Sequence, residues 1–592
     1  MLLKSRVARE RRVRACNRFT VARLLHAMPA GRGRGLQCSS TSAVGSPQHV
    51  SNRYAIVWHS QQNVADMPKK LLPRKKNILI FSDGTGQAGG ISVDERRSNI
   101  YKLYRATRVG PDSIIKPAEQ VAYYDAGLGS LPPSGGTIKG LFRMAHNFLS
   151  EATGFGLTTN IIDCYESIIR LWRPGDRIFL FGFSRGAYTV RCVGGVLAQC
   201  GVPTRLENGA PMKYDGGTAR RLAKIAVKKV YQHTASVPLA NATPRQKELM
   251  DQRSELGRQF RENYASRQND KSDYPFFIGV FDTVASIASK GSLIILVLTV
   301  LAMAAIFASV LWFAQPVAEV VFGSTIGGFF AHLAALIHFD TASWWHSFFA
   351  VLSSFVLTTF IWYVTQQVKV APTANPKKWW RTLNISFRRM AFEDKTLNDN
   401  VRYARHAISI DENRAAFQRV GWGAASANRP DKDEQGIDTF QQYWFAGNHS
   451  DIGGSYIENE SRLSDISMGW MIEAAEKIKG GIKIDKSVLQ LYPSAGGMQH
   501  DQRKEGFPLL TKWLRLTWPG RRRKIPDPEA PLDDSVYARF KLPIVIQYDV
   551  AAPYRPETLR THARLTQYYN GIPEPKPENK LAAYIKSFFL TT

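Results

Sequence analysis

The chain has 592 residues and a formal net charge of +29, long enough to bury a large core in more than one structural unit. It has five cysteines, Cys16, Cys38, Cys164, Cys192 and Cys200, an odd number whose spacings fit neither a metal site nor a disulfide framework. The folded part therefore suits a reducing compartment. No zinc knuckle, helix-turn-helix or base-stacking aromatic pattern accompanies the charge, so nucleic acid is not an expected partner despite the basic balance.

Residues 1–76 hold sixteen Lys/Arg against Glu10 and Asp66, near half of the net charge. Such a basic, acid-poor segment reads as a disordered tail or a targeting segment. Met67 is an alternative start, close before the first strand. A strand is expected at 77–82, ending in Asp83-Gly84-Thr85-Gly86-Gln87. A second, at 120–124, ends in Asp125-Ala126-Gly127-Leu128-Gly129. Gly-rich loops after parallel strands are where such sheets place ligand contacts.

The most informative stretch follows. After the turn Pro174-Gly175-Asp176, an apolar strand at 178–183 runs into Gly182-Phe183-Ser184-Arg185-Gly186, and a helix of small and branched residues continues over 187–199. Gly-x-Ser-x-Gly alone is a common pattern. Between a buried strand and a helix it builds a nucleophile elbow, which lifts the Ser184 hydroxyl above the sheet and needs glycine at 182 and 186. The oxyanion donors expected beside it are the N–H of Arg185 and the loop of Gly84 and Thr85. Cys192 and Cys200 lie on the following helix and read as small core residues.

A polar stretch at 203–274 reads as helical decoration or a lid. A strand at 274–281 then ends at Asp282-Thr283, and a further strand at 442–446 ends in Gly447-Asn448-His449-Ser450-Asp451-Ile452-Gly453-Gly454. An acid at a strand's carboxyl end and a histidine in a Gly-rich loop complete the chain order Ser, Asp, His of this kind of hydrolase. Asp282 and His449 are the favoured acid and base. His406 is a competing base, and Asp451 and Asp465 are competing acids.

Between Asp282 and His449 lie two uncharged runs, residues 292–314 and 344–365. The first would reach about 34 Å as a helix, enough for a hydrocarbon core. Trp344, Trp345, Trp362 and Tyr363 flank the second like interfacial belts. Lys290 precedes the first run, while Lys369, Lys377, Lys378 and Arg381 follow the second, and the connection 315–343 has no Lys or Arg. The positive-inside rule then puts both large parts in the cytoplasm. The apolar connecting segment 317–339 reads as interfacial or re-entrant, and its His332 and His338 as interfacial or satisfied rather than metal-binding. An even number of crossings also keeps Asp282 and His449 on the side of Ser184. Asp282 stands at most about 36 Å of chain from the first run, which would hold the site near the bilayer, and the basic residues at 369–389 would favour anionic headgroups.

Four segments together, Phe181-Gly-Phe-Ser-Arg-Gly-Ala-Tyr, Gly279-Val-Phe-Asp-Thr-Val, His406-Ala-Ile-Ser-Ile-Asp-Glu and Phe445-Ala-Gly-Asn-His-Ser-Asp-Ile-Gly-Gly, resemble the domain of unknown function family 2235. Its best understood members are type VI secretion phospholipase effectors with an α/β-hydrolase catalytic domain. The resemblance covers about 77–202, 274–290 and 385–480. It implies Ser184 as nucleophile, Asp282 as acid, His449 as base, and lipid or ester hydrolysis. An inserted membrane hairpin departs from a freely diffusing toxin and favours a resident membrane protein.

The expected architecture is an α/β-hydrolase-like, mostly parallel sheet with helices on both faces, interrupted by a two-helix transmembrane hairpin. Its parts are a core at 77–290 with the insert 203–274, the hairpin at 291–368, a second core part at 369–480 and an extension at 481–592. The extension has Pro-rich connections and a candidate strand at 542–548 but no readable role. The expected function is a membrane-anchored serine hydrolase of lipid esters, lipase- or phospholipase-like, without metal or cofactor. Its partners would be a lipid substrate and an anionic membrane surface, and its place a bacterial inner membrane with the catalytic part in the cytoplasm. The alternative is a membrane-anchored binding or scaffold protein with an inactive hydrolase core.

Overall fold

The computed structural model describes residues 75–84, 96–127, 155–284, 344–369, 397–502 and 520–574 apart from a few positions within these ranges, with isolated positions at 87, 301–309 and 384–385. Residues 70–592 form one compact unit. The basic segment 1–69, with Met67, lies outside the described residues.

Six strands make the central sheet: β1 (Asn77–Ser82), β2 (Gln120–Asp125), β3 (Arg177–Phe183), β4 (Pro275–Phe281), β5 (Tyr403–Ser409) and β6 (Phe440–Phe445). They lie in the order β2-β1-β3-β4-β5-β6, and every neighbouring pair is parallel. Parallel strands are buried on both faces, which is why β1, β3 and β4 read as near-continuous apolar runs. Alternation still sorts their side chains. Ile78, Ile80, Ile178, Leu180, Ile278 and Val280 meet the helices α2 (Phe155–Leu171) and α3 (Arg185–Cys200) in one core. Leu79, Phe81, Phe179, Phe181 and Phe277 meet α1 (Asn99–Thr107) and α8 (Arg462–Lys477) in the other. Chain order reverses between β1 and β3, and the crevice outside the strand ends at such a switch point is where open α/β sheets bind ligands.

The segment after α3 is largely helical. It contains α4 (Gly216–Lys224), a π-helical turn at Ile225–Val230 and α5 (Pro244–Asn263). It packs down: Leu222, Val227, Val230 and Phe260 are buried in the same core as α2 and α3. Thr243 opens α5 with a capping box closed by Gln246, and Pro244 sits in the first turn.

The expected hairpin is not found in the described structure. No helix among the fully described residues is long and apolar enough to cross a membrane. The first run, 292–314, and the connection 315–343 lie outside the description except for a few positions. The second run falls on one continuous helix, α6 (Trp344–Gln367), several of whose side chains are not described.

Beyond α8 the sequence left one candidate strand at 542–548. The structure instead continues a helix, α9 (Asp534–Lys541), to the start of that stretch and leaves only β7 (Val545–Gln547) as strand, paired antiparallel with β8 (Val550–Ala552). Asp533 caps α9 and Leu542 ends it, and Pro543, which has no N–H for a ladder, leaves the strand to the later part of that stretch. The short five-residue α7 (His449–Gly453) lies between β6 and α8. The C-terminal chain is not a loose extension. Leu532, Val536, Phe540, Val545, Tyr554 and Leu559 bury Ile408, Ile410 and Trp444 at the β5–β6 edge.

Candidate active site

At the end of β3 the backbone of Ser184 turns to φ 57° and ψ −120°, a strained conformation for a residue with a side chain. Helix α3 starts at the next residue, Arg185, so the turn sits at a helix N-terminus. A Cβ on Gly182 would stand 2.5 Å from the Gly186 carbonyl oxygen, and one on Gly186 would overlap the Ser82 carbonyl and come within 2.6 Å of that of Asp83. Both glycines are therefore sterically required at this strand–turn–helix junction. Ser184 N–H donates to the Phe281 carbonyl at 3.1 Å, tying the elbow to the end of β4.

Gly84, after β1, packs against this turn: a Cβ there would lie 3.4 Å from that of Ser184. Its N–H, expected as an oxyanion donor, instead donates to Asp83 Oδ1 at 2.7 Å. Thr85 lies outside the described residues. Asp83 is buried, and its Oδ2 accepts from Ser98 Oγ (2.5 Å) and Tyr124 OH (2.7 Å), which fastens the β1 loop to β2 and α1.

The structure brings Asp282 and His449 together. Asp282 follows β4 with φ 38°, is fully buried, and its Oδ2 lies 2.5 Å from His449 Nδ1. A buried carboxylate accepts only, which places the imidazole proton on Nδ1. His449 opens the short helix α7, where Asn448 and Asp451 form a capping box. Its ring stacks on Phe183, the neighbour of Ser184, with centroids 4.6 Å apart, and meets Phe417 edge-on at 5.1 Å. His449 Nε2 is buried and has no hydrogen-bond partner among the described residues. Burial holds the imidazole below its ordinary value, against the raising effect of Asp282. The Asp282 carboxyl lies well below the usual range. Burial opposes this, but Arg523 and His449 outweigh it.

Arg523 was not singled out from the sequence. It grips Asp282 with both ends of its guanidinium, Nη1 to Oδ1 at 2.5 Å and Nη2 to Oδ2 at 2.9 Å. In the sequence it is one of four consecutive basic residues, Arg521 to Lys524, a run that reads as a solvated surface. Glu412 was also missed, although it ends one of the quoted segments. Its Oε2 accepts from the His449 N–H at 3.2 Å, and Arg414 neutralises it through Nε (2.8 Å) and Nη2 (2.9 Å).

The competing residues sit elsewhere. His406 lies inside β5, with Nε2 accepting from Thr283 N–H at 3.3 Å and Nδ1 3.3 Å from Gln442 Oε1. Burial, then Arg191 and Arg419, push it down to about 3. Asp451 pairs with His500, Oδ1 to Nδ1 at 2.8 Å, and not with His449. Asp465 faces Lys102 and Arg462, each at 3.6 Å. Among the described residues no group of three or more His, Cys, Asp or Glu could hold a metal ion, and His332 and His338 lie outside them.

A parallel α/β sheet with an elbow serine and an Asp–His pair at its strand ends defines the class to which this chain compares. Residues 76–309 and 366–474 match the type VI secretion system Tle1-like phospholipase effector catalytic domain, and the chain belongs to that family. The expected kinship with type VI secretion phospholipase effectors is thus found, while the family number 2235 is not part of the match. The matched region is accordingly an ester-hydrolysing domain of the lipase and phospholipase type. An uncharacterized protein of Saccharomyces cerevisiae is 33% identical over 130 residues, which are 22% of this chain and 18% of that protein. A crystal structure of an uncharacterized protein from Pseudomonas aeruginosa aligns at 14% identity and a TM-score of 0.26, covering 70% of this chain and 47% of that one. The Tle1 effector bound to the VgrG spike of the type VI secretion system aligns at 15% identity and a TM-score of 0.24, covering 69% and 57%. The chain spans under a fifth of the yeast relative and roughly half of the two solved chains.

Proposed function

We propose that the protein is a serine hydrolase of lipid carboxylic esters, with phospholipids as the favoured substrate class. The observation that carries this reading is the His449–Asp282 bond at 2.5 Å, with the unpartnered Nε2 of the same ring beside the elbow of Ser184. Ser184 Oγ attacks the ester carbonyl while His449 Nε2 takes its proton, and Asp282 holds the imidazolium that forms. The oxyanion is met by Arg185 N–H at the start of α3. The second donor is assigned to Thr85, because the N–H of Gly84 is committed to Asp83. Collapse of the tetrahedral intermediate expels the alcohol, which takes the proton from His449. Water, activated by the same base, then frees the acid and restores Ser184.

Membrane attachment is part of the reading and rests on the two uncharged runs. On α6, Trp345, Phe349, Leu357, Phe360 and Ile361 are exposed, more apolar surface than a water-facing helix carries. In this reading the two runs form a hairpin that keeps the site beside a bilayer, with the catalytic part on the cytoplasmic face and anionic headgroups near the basic residues at 369–389.

Fluorophosphonate labelling of membranes tests the chemistry without a known substrate. Wild type should label at Ser184, and Ser184→Ala and His449→Ala should not. Labelling of the wild type elsewhere, or full labelling of His449→Ala, would leave the binding-protein alternative. The substrate class is tested with purified protein on phospholipid vesicles, where Ser184→Ala should release no fatty acid.

A further inference from the structure

The Asp282 carboxylate serves a cation as fully as it serves the histidine. It accepts four hydrogen bonds: Arg523 Nη1 (2.5 Å) and Ser409 N–H (3.0 Å) on Oδ1, Arg523 Nη2 (2.9 Å) and His449 Nδ1 (2.5 Å) on Oδ2. These fill the acceptor sites a carboxylate has. Arg523 is itself fixed. Nη1 donates to the Ser409 carbonyl and Nη2 to that of Phe417, each at 3.1 Å. The strand of chain that carries it is pinned to the loop after β5, by a bridge between Gly520 and Arg414 and by Arg521 N–H on the Asn413 carbonyl at 2.7 Å. The Arg523 side chain is 7% exposed. Arg523 also lies beyond residue 474, where the family match ends.

A bidentate guanidinium fixes the plane of a carboxylate as a single hydrogen bond cannot. It also cancels charge. The groups facing the histidine pair are Asp282 and Glu412, both anionic, with Arg414, Arg419 and Arg523 as cations and His406 buried and neutral. The cations outnumber the anions, so an imidazolium gains less here than beside a lone aspartate.

We propose that Arg523, resting on the reading of Asp282 and His449 as acid and base, is a positioning residue for that pair. It sets the Asp282 carboxylate so that Oδ2 meets Nδ1, and it keeps His449 neutral and able to accept the Ser184 proton. The C-terminal chain is then part of the catalytic apparatus.

The test is the rate of fluorophosphonate labelling of Ser184 against pH in the full-length protein, per folded molecule. In Arg523→Met the lost cation makes the imidazolium easier to form. The midpoint of the acid limb should rise by about one pH unit, and the rate above it should fall at least about tenfold. Arg523→Lys keeps the charge and loses the fork, so it should label about tenfold more slowly with the midpoint in place. A wild-type midpoint in folded Arg523→Met overturns the proposal. If that variant does not fold, Arg523→Lys decides, and labelling at the wild-type rate overturns it. Absence of Ser184 labelling in the wild type would instead overturn the reading of the triad.

Discussion

Gly186 and Ser82 stand so close that no side chain fits between them: a Cβ on Gly186 would fall on the Ser82 carbonyl, with the Asp83 carbonyl 2.6 Å away. Both obstacles are backbone, at the end of a central strand, and neither can move without breaking the sheet. Gly186→Ala should therefore cost several kcal/mol, of the order of the larger single-site losses, about 4 kcal/mol or more. Gly216→Ala, whose nearest neighbour would be Glu166 Oε1 at 3.8 Å, should change stability by less than about 1 kcal/mol. Urea unfolding of the two variants compares them directly, and equal midpoints would contradict the elbow geometry.

Asp282→Asn keeps the shape of the site and removes the charge that orients Nδ1–H. The amide can present its N–H₂ to the ring and favour the wrong tautomer. Labelling of Ser184 should fall by about three to four orders of magnitude, in line with the loss of the acid in other triads. The variant should also be less stable at neutral pH, because Arg523 would then be buried without its counter-charge. Unchanged labelling would remove Asp282 from the mechanism.

His406 gives a pH signature of stability separate from catalysis. Its folded value lies at about 3, pushed down by burial and then by Arg191 and Arg419. Unfolded, it should titrate near about 6.5. Between the two values the unfolded chain binds the extra proton, so this contribution is fully present above the unfolded value and is lost as pH falls. Each pH unit in that window should cost about 1.4 kcal/mol through this one group. Other groups add to the total, Asp411 among them with the opposite sign, since burial raises it to about 6. The measurable quantity is thus the difference between wild type and His406→Gln. The variant should show the shallower loss of stability between pH 6 and pH 4, and parallel curves would rule the assignment out.

Truncation separates the C-terminal chain from a dispensable tail. Ending the protein at residue 519 removes Arg523 and strips Leu532, Val536 and Phe540 from Ile408, Ile410 and Trp444. Burial of side chains of this size is worth about 1.5–3 kcal/mol each, so the shortened protein should be insoluble or unfolded. A soluble, labelled product of that length would show the opposite.

Membrane attachment can be read by alkaline carbonate extraction. Wild type should stay with the membrane pellet, and a variant lacking residues 292–365 should move to the supernatant. Extraction of the wild type itself by carbonate would exclude a spanning hairpin.

The strand β3, the elbow and the start of α3 were legible because their signals are local: an apolar run, two glycines and a helix within about twenty residues. Asp282 and His449 were legible as residues at strand ends, since parallel sheets gather their chemistry there. Asp451, Asp465 and His406 stayed in competition with the favoured pair in one dimension, because spacing alone does not exclude them. Only the sheet order, which sets β5 beside β4 and β6 beside β5, brought the ends of β4 and β6 together so that Asp282 meets His449, and left Asp451 to His500. Arg523 had no local signal at all. It lies 241 positions from Asp282, inside a basic run, and becomes a buried partner only because the C-terminal chain folds back over the β5–β6 edge. The sequence by itself determined the strand–elbow–helix unit and the kind of residue at each strand end, because these depend on neighbours along the chain. The tertiary structure decided which acid meets which histidine and what neutralises them, because charge pairing acts between atoms a few ångströms apart wherever they lie in the sequence.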